Sequence, residues 1–119
     1  HARYGVLCEY LDSGLLKPYG AKKLISTLKQ EIGIPIHLHT HDTTGNQVAA
    51  LLMAAEAGVD VVDAACAPLA GLTSQPSLDA LVAALQGTER DTGLDLRRVQ
   101  ELSNYWADVH RALSSTPMR

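Results

Sequence analysis

The stretch Ile36-His37-Leu38-His39-Thr40-His41-Asp42-Thr43-Thr44-Gly45 decides how this chain is read. Side chains alternate across an extended strand, so the histidines at i, i+2 and i+4 project to one face. Thr43-Thr44-Gly45 then leads into a helix, which puts the imidazoles at the carboxyl end of the strand, where α/β folds build their sites. Imidazoles gathered there are placed to share a divalent cation. A lone histidine is more often a capping or satisfied core residue, but three in register make that account poor for at least two of them. Two imidazoles alone make a weak site. A catalytic metal normally takes three protein ligands and keeps an open position, so at least one more ligand has to come from elsewhere.

Outward from this stretch the sequence alternates strand and helix. Upstream, residues 5–11 hold Val6, Leu7, Cys8 and Leu11 and read as a short strand, broken by Ser13-Gly14. Pro18 opens a helix whose Ala21, Leu24, Ile25, Leu28 and Ile32 recur at helical spacing, and Gly33 and Pro35 close it. The second strand covers residues 34–41. The following helix turns Val48, Leu51, Leu52 and Ala55 inward and stops at Gly58. Residues 59–66 form a third strand, apolar on both faces as expected of a parallel strand covered by helices. A helix from about Ser77 carries Leu78, Leu81, Val82 and Leu85. A last helix, over residues 95–113, carries the stripe Leu96, Val99, Leu102, Trp106, Val109 and Leu113, with Arg97, Arg98, Glu101, Asp108 and Arg111 on its solvent side. The fold class is therefore α/β with parallel strands.

Composition narrows the function. The chain has 119 residues, 46% of them apolar and 19% charged, with no Phe, four Tyr and one Trp, which suits a single folded domain with a modest core. Ten Lys and Arg against thirteen Asp and Glu give a formal charge of −3, and the basic residues are scattered, so there is no electrostatic footprint for nucleic acid. No apolar run approaches the roughly 18 residues of a membrane span. Cys8 and Cys66 each sit in a strand-like run outside any Cys/His cluster and read as buried free thiols of a cytosolic or matrix protein. The chain opens on His1 without an export signal and reads as part of a longer protein.

Four further features compete between structural and chemical roles. Asp42 is either an acceptor for an imidazole or, the favoured account, a cap for the next helix. Asp60 and Asp63 flank the third strand, and Asp63, enclosed by apolar neighbours, needs a hydrogen-bond partner in a structural rather than catalytic role. Lys17 is placed to meet an anion but reads as solvated. Gly71-Leu72-Thr73-Ser74-Gln75-Pro76-Ser77 offers hydroxyls and amides before a helix, either for a carboxylate substrate or for capping by Ser74 or Ser77. There is no Gly-rich phosphate loop, nucleophile elbow or Cys-His pair, which argues against nucleotide binding and acyl-enzyme chemistry.

Gly14-Leu15-Leu16-Lys17-Pro18, the run from Ile36 to Gly45, the stretch from Ala54 to Asp63, Gly71 to Ser77, Gly87-Thr88-Glu89-Arg90-Asp91-Thr92-Gly93-Leu94-Asp95 and Tyr105-Trp106 occur together and in order. In this the chain resembles the carboxyltransferase domain of the pyruvate carboxylases, in the metal-dependent barrel family that also includes HMG-CoA lyase. Oxaloacetate decarboxylase and transcarboxylase subunits share the His motif and the Thr-Ser-Gln-Pro loop, whereas residues 89–94 and Tyr105-Trp106 favour pyruvate carboxylase.

The resemblance implies a partial (β/α)8 TIM barrel, with residues 1–119 supplying the last three βα units and a C-terminal helix. It also implies transfer of a carboxyl group from carboxybiotin to pyruvate, giving oxaloacetate. The metal, Zn or Mn, would be held by His39 and His41, with His37 deeper in the barrel and no ligand. Biotin and ATP would act on other domains, a biotin carrier domain would be a partner, and the parent enzyme would be a homo-oligomer of the bacterial cytoplasm or, second in preference, the mitochondrial matrix. Tyr10 falls where the family carries a carbamylated lysine, and a phenol forms no carbamate. The family's remaining metal-binding Asp, its pyruvate-gripping Arg and a proton-accepting Thr have no counterpart in this sequence. A (β/α)8 barrel takes about 250 residues, so three strands leave two sheet edges open. Two rival expectations stand beside this one: a decarboxylase or transcarboxylase subunit, and a non-catalytic remnant that self-associates through those edges.

Overall fold

The computed structural model describes the backbone of residues 5–7 and residues 15–115 in full. The features expected at Cys8, Tyr10 and Ser13-Gly14 lie outside the described residues. Among those described, β1 (Gly5–Leu7), β2 (Ile36–Leu38) and β3 (Val61–Val62) form a parallel sheet in the order β1-β2-β3. Gly5 pairs with Ile36 and Leu7 with Leu38, while His37 pairs with Val61 and Leu38 with Val62. β2 and β3 are shorter than the apolar runs that announced them. The runs nevertheless stay alongside one another: Asp60 N donates to Ile36 O at 3.1 Å and Asp63 N to Leu38 O at 3.2 Å. Apolar content marks what can be covered, whereas ladder pairing requires a neighbour in register, which is why the two lengths differ.

The helices are α1 (Pro18–Glu31), α2 (Gln47–Glu56), α3 (Leu78–Leu85) and α4 (Leu96–Ser114), with a 3-10 turn over Ala67–Leu69. Pro18 stands in the first turn of α1, where its missing N–H costs nothing, and Lys17 precedes it, exposed as expected. Ser77 caps α3 by accepting from Ala80 N at 3.2 Å, and Asp95 caps α4 by accepting from Arg97 N at 3.0 Å. The core joins Ile25 of α1, Ile36 and Leu38 of β2, Leu51 and Ala54 of α2 and Leu81 of α3. The buried face of α2 is Gln47, Ala50, Leu51 and Ala54, with Val48 and Leu52 at its margin.

Two expectations change. Cys66 is half-buried rather than buried. The apolar stripe of α4 is covered only in part: Val99 is buried, beside Ser103, and Leu96 and Val109 are half-buried, whereas Leu102 (46% exposed), Trp106 (37%) and Leu113 (70%) lie open among the described residues. A hydrogen bond sets the rotation of this helix. Ser103 Oγ donates to Asp79 Oδ1 at 2.7 Å, and the same oxygen accepts Ala67 N at 3.0 Å, so α4 is pinned by Ser103 onto α3 and the 3-10 turn.

Asp60 fastens the amino ends of β2 and β3 to the carboxyl end of α1. Its Oδ2 accepts from Lys29 Nζ at 2.8 Å and from Ile36 N at 2.7 Å, joining β3 to α1 and β2. The Lys29 hydrogen bond, then the Ile36 amide, hold its carboxyl below the ordinary aspartate value of 3.8, against the opposing effect of burial. With the folded value depressed, the unfolded chain binds more protons at acid pH. The stabilisation is thus complete above the ordinary value and is lost as pH falls through the folded one. Asp60→Asn is expected to lower the urea midpoint at pH 7 and to flatten its decline below about pH 4. A midpoint-versus-pH series parallel to that of the wild type would count against this role.

Candidate metal centre

The alternation expected of the His stretch holds through its whole length. Ile36, Leu38 and Thr40 are buried, and His37, His39 and His41 stand half-buried on the opposite face. Beyond the last paired residue, a buried polar network keeps the chain extended. Thr40 Oγ1 donates to Gln47 Oε1 at 2.7 Å, and Gln47 Nε2 donates to Leu16 O at 2.9 Å and Asn46 Oδ1 at 2.8 Å. Thr40 and Gln47 are both fully enclosed. Asp42 caps α2, as favoured, with its Oδ1 accepting from Gln47 N at 2.9 Å, and its own N–H donates to Ser74 O at 2.8 Å.

On the imidazole face the Nε2 atoms of His39 and His41 lie 3.2 Å apart, their rings edge-on at 76°. His39 Nδ1 meets Asp63 Oδ2 at 2.7 Å, and His41 Nδ1 meets the carbonyl oxygen of Thr73 at 2.5 Å. A carboxylate and a carbonyl only accept, so both Nδ1 atoms carry hydrogen, and in neutral rings both Nε2 atoms present lone pairs to each other. Two lone pairs at that distance repel unless a proton or a cation lies between them. Two nitrogens about 2.0–2.1 Å from one zinc ion and about 100–110° apart are separated by about 3.1–3.4 Å, so the pair fits a shared divalent cation. No third His, Cys, Asp or Glu joins them as a metal-binding group among the described residues.

The sequence placed His39 and His41 on one face, and the structure brings their rings together. It also gave Asp63 a hydrogen-bonding task without naming the partners. The structure supplies them: Oδ1 lies 2.8 Å from His37 Nε2 and Oδ2 meets His39. Burial pushes the Asp63 carboxyl up, but the hydrogen bonds from His37 and His39 outweigh it, and the net displacement is downward. The contribution of the Thr73 carbonyl left no trace in the sequence because it is a main-chain atom. It is aimed by a tight turn with Gly71 at φ +87° and Leu72 at φ +51°, closed by Ser74 N donating to Gly71 O and Gly71 N to Gln75 O. Gln75 Nε2 comes within 3.5 Å of His39 Nε2, so the Thr-Ser-Gln-Pro loop borders the imidazoles besides supplying the Ser77 cap.

These described residues form a parallel βα layer with two imidazoles paired beyond the carboxyl end of β2, and the chain belongs to the HMGL-like family, whose model matches residues 10–105. Within that family it is similar to pyruvate carboxylases. It is 56% identical over 100 residues to pyruvate carboxylase 1 of Caenorhabditis elegans, covering 83% of this chain and 8% of that protein. It is 47% identical over 102 residues to the Bacillus subtilis enzyme, covering 86% and 9%. The carboxyl transferase domain of Rhizobium etli pyruvate carboxylase with 3-hydroxypyruvate superposes with a TM-score of 0.86 at 47% identity, covering 91% of this chain and 18% of that one. The same domain with pyruvate and biocytin gives 0.85 at 48%, covering 90% and 18%. The chain thus spans less than a tenth of the length of these curated relatives.

Thr40→Val removes the hydroxyl that donates to Gln47 Oε1 and withdraws a partner from a buried amide oxygen. A destabilisation of about 1–3 kcal/mol is expected from chemical denaturation. A variant within about 0.3 kcal/mol of the wild type would show that this network does not hold the strand end.

Proposed function

We propose that this chain supplies three consecutive βα units, the last of a carboxyltransferase barrel, whose parent enzyme moves a carboxyl group from carboxybiotin to pyruvate. The observation that carries this reading is the 3.2 Å convergence of the His39 and His41 Nε2 atoms at the carboxyl end of β2. It is supported by the likeness to pyruvate carboxylases and by their solved complexes with pyruvate and biocytin. His39 and His41 would hold the divalent cation, Zn or Mn. When bound, that cation would polarise the carbonyl of a keto acid and stabilise negative charge developing on its oxygen.

The chain's own residues have separable tasks. The carboxylate of Asp63 and the carbonyl of Thr73 keep hydrogen on the Nδ1 atoms of the two imidazoles. Gln75 borders the same face with an amide donor. Further ligands and the groups that grip substrate belong to other strands of the barrel. The family's carbamylated lysine falls on Tyr10, outside the described residues, so the chain alone is expected to be inactive. Biotin and ATP would bind on other domains, in a homo-oligomer of the cytoplasm or the mitochondrial matrix. The relatives include bacterial enzymes and the mitochondrial one of Rattus norvegicus.

Zinc titration of the 119-residue chain is expected to show a site that the His39→Ala/His41→Ala double variant lacks. Equal binding by both would overturn the assignment. In a chimera with this chain in the matching segment of the Bacillus subtilis enzyme, Tyr10→Lys is expected to raise oxaloacetate formation from pyruvate at least tenfold over the Tyr10 form. Adding His39→Ala is expected to abolish the gain. Chimeras of equal activity at position 10 would remove Tyr10 as the cause of inactivity.

A further inference from the structure

We infer that Asp63 is a positioning residue for the imidazole pair: it sets which nitrogen His39 presents, and His37 serves as the second anchor of its carboxylate. This rests on the reading of His39 and His41 as cation ligands and deepens it: what is added is the coupling of His37 to His39 through the one carboxylate of Asp63. His37 in particular is a third histidine on the face with no ligand role of its own.

Both oxygens of Asp63 are engaged, Oδ1 by His37 Nε2 at 2.8 Å and Oδ2 by His39 Nδ1 at 2.7 Å. Its backbone is fixed as well, since Asp63 N donates to Leu38 O at 3.2 Å and thereby sets the residue beside β2. A carboxylate offers only lone pairs, so the nitrogen that each imidazole turns toward it has to carry hydrogen. For His39 this places hydrogen on Nδ1 and leaves the Nε2 lone pair facing His41 Nε2 at 3.2 Å. Rotation of the carboxylate to satisfy any other group would break both hydrogen bonds at once. His37 therefore acts on His39 through Asp63, across one carboxylate and without touching the cation site.

The two members of the pair are held by unlike partners. His41 Nδ1 meets a neutral main-chain carbonyl, that of Thr73, whereas His39 Nδ1 meets an anion. An anionic partner holds an imidazole in one tautomer and orientation more firmly than a neutral carbonyl does, so His39 is the member of the pair that answers to Asp63. The dependence on Asp63 follows: its loss should alter His39 and spare His41. Asparagine at position 63 keeps one acceptor oxygen and replaces the other by an N–H2 group. It can accept from one imidazole only, and it drives the other toward the opposite tautomer.

The test is side-chain nitrogen NMR of the metal-free 119-residue chain, with assignment of His37, His39 and His41, followed by zinc titration of the same samples. In the wild type, His39 and His41 are expected with hydrogen on Nδ1. In Asp63→Leu, His39 is expected to move to the Nε2–H form while His41 keeps its signal, and in Asp63→Asn either His37 or His39 is expected to take its opposite tautomer; zinc affinity is expected to fall about 10–100-fold in Asp63→Leu. His37→Gln should lower affinity by a smaller factor, with the His39 signal broadened between the two forms. Asp60→Asn, on the same run but bonded to Lys29, should change neither readout. A His39 signal unchanged in Asp63→Leu, His37 and His39 signals both unchanged in Asp63→Asn, or a zinc affinity of Asp63→Leu equal to the wild type would overturn the inference. If Asp63→Leu fails to give a dispersed spectrum, the isosteric Asp63→Asn decides. A wild type that binds no zinc, yet whose His39 tautomer follows Asp63, would refute the cation reading and leave the positioning role standing.

Discussion

An extended backbone turns successive side chains to opposite faces, and around β2 that constraint organises the rest of the molecule. With Ile36, Leu38 and Thr40 committed to the helix layer, His37, His39 and His41 have only the other face to occupy. A slip of one residue would drive imidazoles among Ile25, Leu51 and Leu81, an apolar cluster, and would expose Leu38. The hydrophobic core and the imidazole face are therefore two sides of one requirement. Whatever stabilises the packing of α1 and α2 on β2 also holds the imidazoles in place.

Polar contacts extend this order to where the sheet ladder ends. Regular pairing of β2 stops at Leu38, one residue short of the first imidazole of the pair, yet the buried Thr40 and Gln47 carry the alternation onward and reach back to Leu16 before α1. The two aspartates flanking β3 divide the remaining labour by position. Asp60, at the amino end, joins Lys29 and the Ile36 amide and serves the assembly of the layers. Asp63, three residues on, reaches the His face and serves the site. The same residue type performs both tasks because the strand delivers them to different ends of the same neighbour.

Much of this was legible in the residues, for definite reasons. Helical periodicity located all four helices, since apolar residues at 3.6-residue spacing line up on one side only when the backbone is helical, and Ser77 and Asp95 marked two of their starts. The same logic found Val99 but overestimated how much of the α4 stripe is covered, because a hydrophobic stripe shows which face can be covered and not which neighbour arrives. There the Ser103 to Asp79 hydrogen bond prevailed over Leu102 and Leu113. Strand lengths were overestimated for a related reason: residues 59–66 are apolar enough for a strand, but only Val61 and Val62 meet partners in regular register.

By itself the sequence determined the α/β class, the face on which the histidines lie and the candidacy of His39 and His41, because these follow from local periodicity and from residue chemistry. Only the tertiary structure decided that their Nε2 atoms converge, that Asp63 binds His37 and His39 together, and that the Thr73 carbonyl completes the arrangement. The contacts of His39 with Asp63 and of His41 with Thr73 join residues 24 and 32 positions apart, and the second uses a main-chain atom common to every residue. No local pattern encodes such a distance. It arises when parallel strands are set side by side and the loops at their carboxyl ends are brought onto one face.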